Sequence, residues 1–232
     1  MAKLVFDIET IGEDFDALDQ TTQESLTRWL KKESDSEEEY KIALADLKQG
    51  LGFSPLTGSI AAIGVLDVEK NVGAVYYQSP GKSEQDFEEN GITFRAMDES
   101  EMLQKFWEGA AKYQQFVSFN GRAFDAPFLM VRSAVHGVRP SVNLMPYRYA
   151  NDTSHLDLLD QLTFYGATRK KGNLHLWSRV FGIKSPKAEG VTGEDVGRMF
   201  AAKQYLDIAR YNVGDLRATR ELYMFWEKYI RF

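Results

Sequence analysis

Cysteine is absent from all 232 residues, and histidine occurs only three times, at His136, His155 and His175. The first absence excludes disulfides and thiolate-held metals, and it fits a reducing compartment. The second leaves three imidazoles to be weighed as metal ligands. His155 lies two residues before Asp157 on an apparent strand, but a lone histidine–carboxylate pair lacks the further ligands a closed site needs. Neither a Gly-x-Ser-x-Gly turn nor a Gly-x-x-x-x-Gly-Lys loop is present, so a nucleophilic elbow and a phosphate-cradling loop are both unsupported. No apolar run is long enough to span a bilayer, and no membrane partner is expected. Met1-Ala2-Lys3 runs directly into an apolar segment, leaving no room for a signal peptide, so the expected location is cytoplasmic. A basic excess is missing too: 34 acids against 28 bases give a formal charge of −6. A protein that gripped nucleic acid mainly by neutralising phosphates would be basic.

What is present suffices for a full core. Hydrophobic residues make up 44% of the chain and aromatics 13%, which suits one sizeable α/β domain over residues 1–232. No linker-like stretch or internal repeat interrupts it. Apolar runs predict strands at 3–9, 59–67 and 72–79, opening an antiparallel sheet, with shorter strands at 116–119 and near 154–157. Leu103, Phe106, Trp107, Ala110 and Ala111 form the buried stripe of a helix over 99–114. A second helix starts near residue 126, and the remainder reads as mostly helical, with Gly182 as a stop. Residues 14–50 form an insertion rich in helix formers, a lid or a partner-binding arm. Leu18, Leu26, Trp29, Leu30, Ile42, Leu44 and Leu47 are its packing candidates, and its acidic run Glu33–Glu39 reads as a solvated or mobile loop.

Four carboxylates stand out by context. Asp7 and Glu9 follow the apolar run Leu4-Val5-Phe6, and residues two apart on a strand project to one face. Asp125 closes Asn120-Gly121-Arg122-Ala123-Phe124-Asp125 after the strand at 116–119. Tyr211 and Asp215 are four apart on the C-terminal helix and share a face. Each has a plainer explanation: a solvated strand face, a helix N-cap ahead of Pro127, an ordinary half-buried helix pair. Crowded acids cost free energy unless cations hold them, so together they point to two-metal phosphodiester chemistry.

In order and spacing these segments resemble the three exonuclease motifs of the DEDD superfamily of 3′–5′ exonucleases, in the branch carrying tyrosine (Tyr211) where the other has histidine. The similarity is to stand-alone exonucleases like the proofreading domain of family B DNA polymerases. His155-Leu156-Asp157-Leu158-Leu159-Asp160 and the stretch from Gly182-Ile183-Lys184 to Val196 also look like that group, while Glu13 to Gly50 carries no motif of it. The resemblance implies a ribonuclease-H-like fold, a mixed central sheet flanked by helices. It implies two divalent cations, Mg²⁺ or Mn²⁺, ~3.5–4 Å apart, as hard ions on oxygen ligands. Asp7 would bridge both; Glu9 and Asp215 would hold the ion near the attacking water; Asp125 would serve the other, mostly through its water shell. Water then attacks the terminal 3′ phosphodiester and releases a nucleoside 5′-monophosphate. Tyr211 would orient that water; a free phenol with a pKa of about 10 is a poor base at neutral pH.

The resemblance also implies that Thr10, Ile11, Asn120 and Phe124 line the pocket for the 3′-terminal nucleotide of single-stranded nucleic acid, DNA rather than RNA. Phe124 is the candidate for stacking on a base, and equally fits a core position under its loop. Lys184 and Lys187, flanking Ser185-Pro186, are candidates for phosphate contact or simple surface charge. An exoribonuclease and a nucleic-acid-binding domain without catalysis remain as alternatives. The acidic net charge predicts a weak grip, distributive cutting and strong inhibition by salt.

Overall fold

Alternation along the first strand decides how the layers stack. The computed structural model describes residues 1–81, 85–149, 154–184 and 193–231. Strand β1 (Lys3–Gly12) is followed by the insertion helices α1 (Gln20–Thr27), α2 (Leu30–Glu33) and α3 (Glu37–Gly50). Then come β2 (Gly58–Asp67), β3 (Gly73–Tyr77), β4 (Phe87–Glu89), β5 (Ile92–Ala96), α4 (Glu99–Ala110), β6 (Gln115–Ser118) and α5 (Asp125–Val135). Beyond them lie β7 (His155–Asp157), α6 (Leu158–Leu162), α7 (Leu174–Val180), α8 (Val196–Ala201) and the long α9 (Tyr205–Tyr229). The strands form one seven-stranded mixed sheet in the order β4-β5-β3-β2-β1-β6-β7. The β1–β2 and β2–β3 pairs are antiparallel, whereas β1–β6 and β6–β7 are parallel.

Leu4, Phe6 and Ile8 of β1 face a core shared with Leu103, Phe106 and Trp107 of α4 and Phe128 and Leu129 of α5. Val5 faces the opposite layer, where Ile208, Ala209, Val213, Leu216 and Leu222 of α9 pack on the sheet. Asp7 and Glu9 belong to the same row as Val5 by the two-residue period of a strand. The strand therefore carries two carboxylates toward the helix that bears Tyr211 and Asp215.

The antiparallel opening of the sheet, the short strands β6 and β7 and the α4 helix correspond to the sequence-based expectations. The β4–β5 hairpin does not appear among them. Its two strands are short, and Phe87-Glu88-Glu89 shows no apolar period. Its turn was nonetheless legible in Asn90-Gly91, both at positive φ (52° and 78°), the pair favoured in a tight hairpin. Strand β5 then returns parallel to β3.

The insertion differs from expectation in two respects. Of its packing candidates, Leu30 is buried, but Trp29 and Ile42 are exposed, and α3 buries no residue at all. The helix lies against α2, the turn at 51–53 and β1, which cover it only in part. The acidic run is not wholly a loop either. Ser36 caps α3 by accepting a hydrogen bond from the Glu39 amide, and Glu37, Glu38 and Glu39 fill the first turn, where negative charge complements the helix dipole.

Close approach of α9 to the sheet depends on Gly64. This residue sits opposite Asp7 on β2, and a Cβ there would lie 1.8 Å from Asn212 Oδ1 and 2.6 Å from Leu216 Cδ1. An isolated glycine inside an apolar strand marks such an approach. Gly64→Ala is expected to destabilise the protein by about 1–3 kcal/mol through overpacking. Urea denaturation of the variant beside the wild type checks this, and an unchanged midpoint would show that α9 can shift freely.

Candidate active site

Three elements meet where α9 crosses β1. Asp7, Glu9 and Asp215 each offer a carboxylate oxygen, and the three oxygens lie within 4.8 Å of one another. Glu9 is buried and Asp7 half-buried at the floor of a cleft of about 360 Å³, whose lining also includes Asn120, Phe124, Asp125, Tyr211 and Asp215. A register shift between Glu9 and Thr10 kinks β1 just beyond the pair. Such bulges re-aim the end of a strand and are common beside functional sites.

Asp125 opens α5 directly after the Asn120–Phe124 loop and is buried behind the cluster. One of its oxygens, Oδ1, accepts the Ile8 amide at 2.9 Å, tying the loop to the backbone between Asp7 and Glu9. It lines the cleft without joining the tight trio of carboxylates.

The electrostatics follow from crowding. Burial, then the charges of Asp125, Asp215 and Glu9, push the Asp7 carboxyl well above the usual range. Burial pushes Asp125 up to about 7, opposed by the Ile8 amide and reinforced by Asp157 and Asp215. The Tyr211 phenol is also raised, by burial and then by Asp215, Glu9 and Asp7, and it shares a hydrogen bond with Asp215. It stays neutral across working pH and donates.

This donor set fits hard divalent cations: every ligand atom is oxygen, several carboxylates converge, and their mutual repulsion in the bare protein is what a cation would relieve. Asp7, Glu9 and Asp215 would hold one ion, and Asp7 with Asp125 could serve a second.

Two residues support the site: Asn212 escaped the sequence reading, and Asp157 was noted there only in a family-like segment and as a partner for His155. Asn212, fully buried on α9, donates from Nδ2 to Asp7 Oδ2 at 2.8 Å and so fixes the carboxylate at the centre of the cluster. Its signal was a lone amide in the buried stripe Ile208, Ala209, Asn212, Val213, Leu216. Asp157 accepts the amides of Asn120 (2.8 Å), Arg122 (3.0 Å) and Leu159 (3.0 Å), which holds the loop before Asp125. His155 beside it is wholly structural, bonding Ser118 Oγ and the Leu144 carbonyl at 2.7 Å each. Burial lowers its pKa to about 4, so it stays neutral.

The other candidates fall in several places. Asn120 and Phe124 line the cleft, with Phe53 edge-on to Phe124 at 6.4 Å between ring centres. Thr10 turns its hydroxyl to the Gly52 carbonyl (2.7 Å), and Ile11 packs against the core beneath α9, so neither is among the described residues lining the cleft. Lys184 borders a neighbouring cleft that, among the described residues, shares Tyr211 alone with the cleft of the acids, and Lys187 lies outside the described residues. Leu159, Leu174 and His175 line the cleft without having been anticipated. They arrive from α6 and α7, whose short periods carried no hint of a common pocket.

A carboxyl whose pKa is raised by folding binds protons more tightly in the native state. Its stabilising contribution is full below about pH 4 and lost as pH rises toward about 7, the upper value set by Asp125. Metal-free protein is therefore expected to lose stability across that window. Asp7→Asn is expected to raise the melting temperature in chelator at pH 7, while Mn²⁺ raises that of the wild type far more than that of the variant. Thermal melts at pH 4 to 8, with and without the ion, check both. A variant no more stable than wild type in chelator would contradict the crowding argument.

Residues 69–231 match the family described as predicted 3′–5′ exonucleases related to the exonuclease domain of PolB. That stretch holds Asp125, Tyr211 and Asp215, while Asp7 and Glu9 precede it and reach the site through β1. Among curated proteins, no sequence matches the chain significantly. Of solved structures, the family B DNA polymerase from the hyperthermophilic archaeon Pyrobaculum calidifontis is similar over 98% of this chain, at 16% identity and a TM-score of 0.57. The chain corresponds to 24% of the polymerase's length. At that identity the likeness is one of fold, the ribonuclease-H-like α/β sheet with helices on both faces. With most of its length matched, the chain belongs to the family of predicted 3′–5′ exonucleases related to the exonuclease domain of PolB.

Proposed function

We propose that the protein is a 3′–5′ exonuclease of the tyrosine-bearing DEDD type, acting on single-stranded DNA with two divalent cations, Mg²⁺ or Mn²⁺, and releasing nucleoside 5′-monophosphates. The observation that carries the proposal is the convergence of Asp7, Glu9 and Asp215 within 4.8 Å, with Tyr211 bonded to Asp215 and Asp125 lining the same cleft. When bound, the cations supply Lewis-acid stabilisation of charge on the phosphate and make water a stronger nucleophile at neutral pH.

The chain's own residues do the positioning. Asn212 holds Asp7 in one rotamer, and the Ile8 amide does the same for Asp125. Tyr211, a neutral phenol, bonds Asp215 and keeps its oxygen lone pairs for the attacking water; it orients and does not take the proton. Phe124 and Leu159 give the cleft an apolar wall against which a terminal sugar and base can lie. At about 360 Å³, near the small end of ligand pockets, the cleft suits one nucleotide unit rather than a duplex.

Digestion of 5′-labelled single-stranded DNA and RNA of one sequence, with Mg²⁺, Mn²⁺ or chelator, tests the proposal. A metal-dependent ladder shortening from the 3′ end, faster on DNA and abolished by Asp7→Ala, is expected. Intact substrate in every lane, from folded protein, would sink the catalytic reading. Tyr211→Phe is expected to lower kcat by about 100-fold, as for loss of one positioned hydrogen-bonding group, with little change in metal affinity. Single-turnover rates beside metal titrations separate the two effects.

A further inference from the structure

Three tyrosines stand on the surface with no core to explain them. Tyr147, Tyr149 and Tyr165 are 74%, 56% and 40% exposed. Their rings nonetheless form a contiguous group, Tyr147–Tyr149 at 5.9 Å and Tyr149–Tyr165 at 5.1 Å between centroids. Exposed aromatics scattered singly are ordinary; a fixed cluster of three is not.

The cluster is anchored to the elements that build the active site. Arg122, in the loop before Asp125, donates from Nη2 to the Pro146 carbonyl at 2.7 Å, next to Tyr147. Arg148, between the other two tyrosines of its segment, makes a forked bond to Asp160, with Nε to Oδ2 at 2.8 Å. Asp160 follows Leu159, which lines the cleft, and its carbonyl accepts the Tyr165 amide at 2.7 Å. Phe164 and Tyr165 both hold positive φ (50° and 56°), a costly conformation for bulky side chains, and Gln161 donates to the Tyr165 hydroxyl at 2.8 Å. The Tyr165 ring is thus held in place against Tyr149 by local bonds.

The chain then runs through Arg169-Lys170-Lys171 directly into Gly172 and Asn173, which line the cleft. Trp177 Nε1 donates to the Lys171 carbonyl at 2.7 Å and ties this basic stretch to α7. In a chain of net charge −6, three consecutive cations starting four residues after Tyr165 form a local departure from the acidic whole.

We propose that Tyr147, Tyr149 and Tyr165, with Arg169, Lys170 and Lys171, form a platform for the single strand upstream of the 3′ end, rings stacking on bases and cations meeting phosphates. The inference rests on the nuclease reading above and names the strand as the occupant. Charge complementarity and continuity with the cleft favour it over a protein partner. Stacking tolerates any sequence, since every base has a π-face. A local platform would also let an acidic protein hold a strand with few phosphate contacts.

Two separate readouts test it. Binding of a labelled single-stranded oligothymidylate, followed by anisotropy in chelator, reports the platform without hydrolysis. Turnover of the p-nitrophenyl ester of thymidine 5′-monophosphate in Mn²⁺ reports the acids without the upstream strand. The triple variant Tyr147→Ser/Tyr149→Ser/Tyr165→Ser is expected to weaken oligomer binding by about tenfold or more and to raise the oligomer KM, leaving ester turnover unchanged. The corresponding triple Tyr→Phe variant should keep wild-type binding, because the rings remain. Unchanged oligomer binding in the folded serine variant would overturn the platform and leave the rings to a protein partner. Tyrosine-dependent binding without hydrolysis of either substrate would uphold the platform and overturn the nuclease reading alone.

Discussion

The site depends on one close approach, that of helix α9 to strands β1 and β2. Gly64 removes a side chain directly opposite Asp7, and Asn212 occupies the vacated space and bonds the carboxylate. The same approach sets Tyr211 and Asp215 over Asp7 and Glu9. A larger residue at position 64 would push the helix outward, and the carboxylates would part with none of them altered. Packing and chemistry are coupled here through a glycine, an amide and an acid in contact.

Such an arrangement holds together against its own electrostatics. Four acids drawn to one cleft repel, and burial strips them of water, so Asp7 and Asp125 hold their protons to higher pH than free carboxyls do. Stability for the cluster comes from around it: two core layers with Val5 under α9 and Phe6 under α4, amides that cap Asp125 and Asp157, and Asn212 on Asp7. A native state that carries this strain gains most from a cation that relieves it. In the proposed reading the acids would thus supply metal affinity as well as chemistry.

Net charge is a sum over positions with different roles. The acidic total includes the carboxylates of the cleft and the first turn of α3, where Glu37–Glu39 serve the helix dipole. One run of three cations, Arg169-Lys170-Lys171, stands just before α7 and leads into Gly172 and Asn173 of the cleft. Whole-chain averages describe solubility and long-range attraction; contact with a strand is governed by the few side chains nearest it.

Local information in the chain determined a good deal. The apolar run before Asp7, the two-residue spacing to Glu9, the turn at Asn120-Gly121 and the four-residue spacing of Tyr211 and Asp215 each follow from strand, turn or helix periods that short segments carry. Those periods located the main strands, the α4 stripe and the acids. Only the tertiary structure decided what those segments meet. Asn212 looks like one polar residue in a helix until Gly64 brings it to Asp7, and Asp157 looks like a strand end until three amides converge on it. The β4–β5 hairpin was missed because its strands are too short to show a period, and Trp29 and Ile42 misled because apolar identity does not say whether a neighbour is near enough to cover it. Periodicity is a property of neighbours along the chain, whereas a site is made by residues the chain has separated.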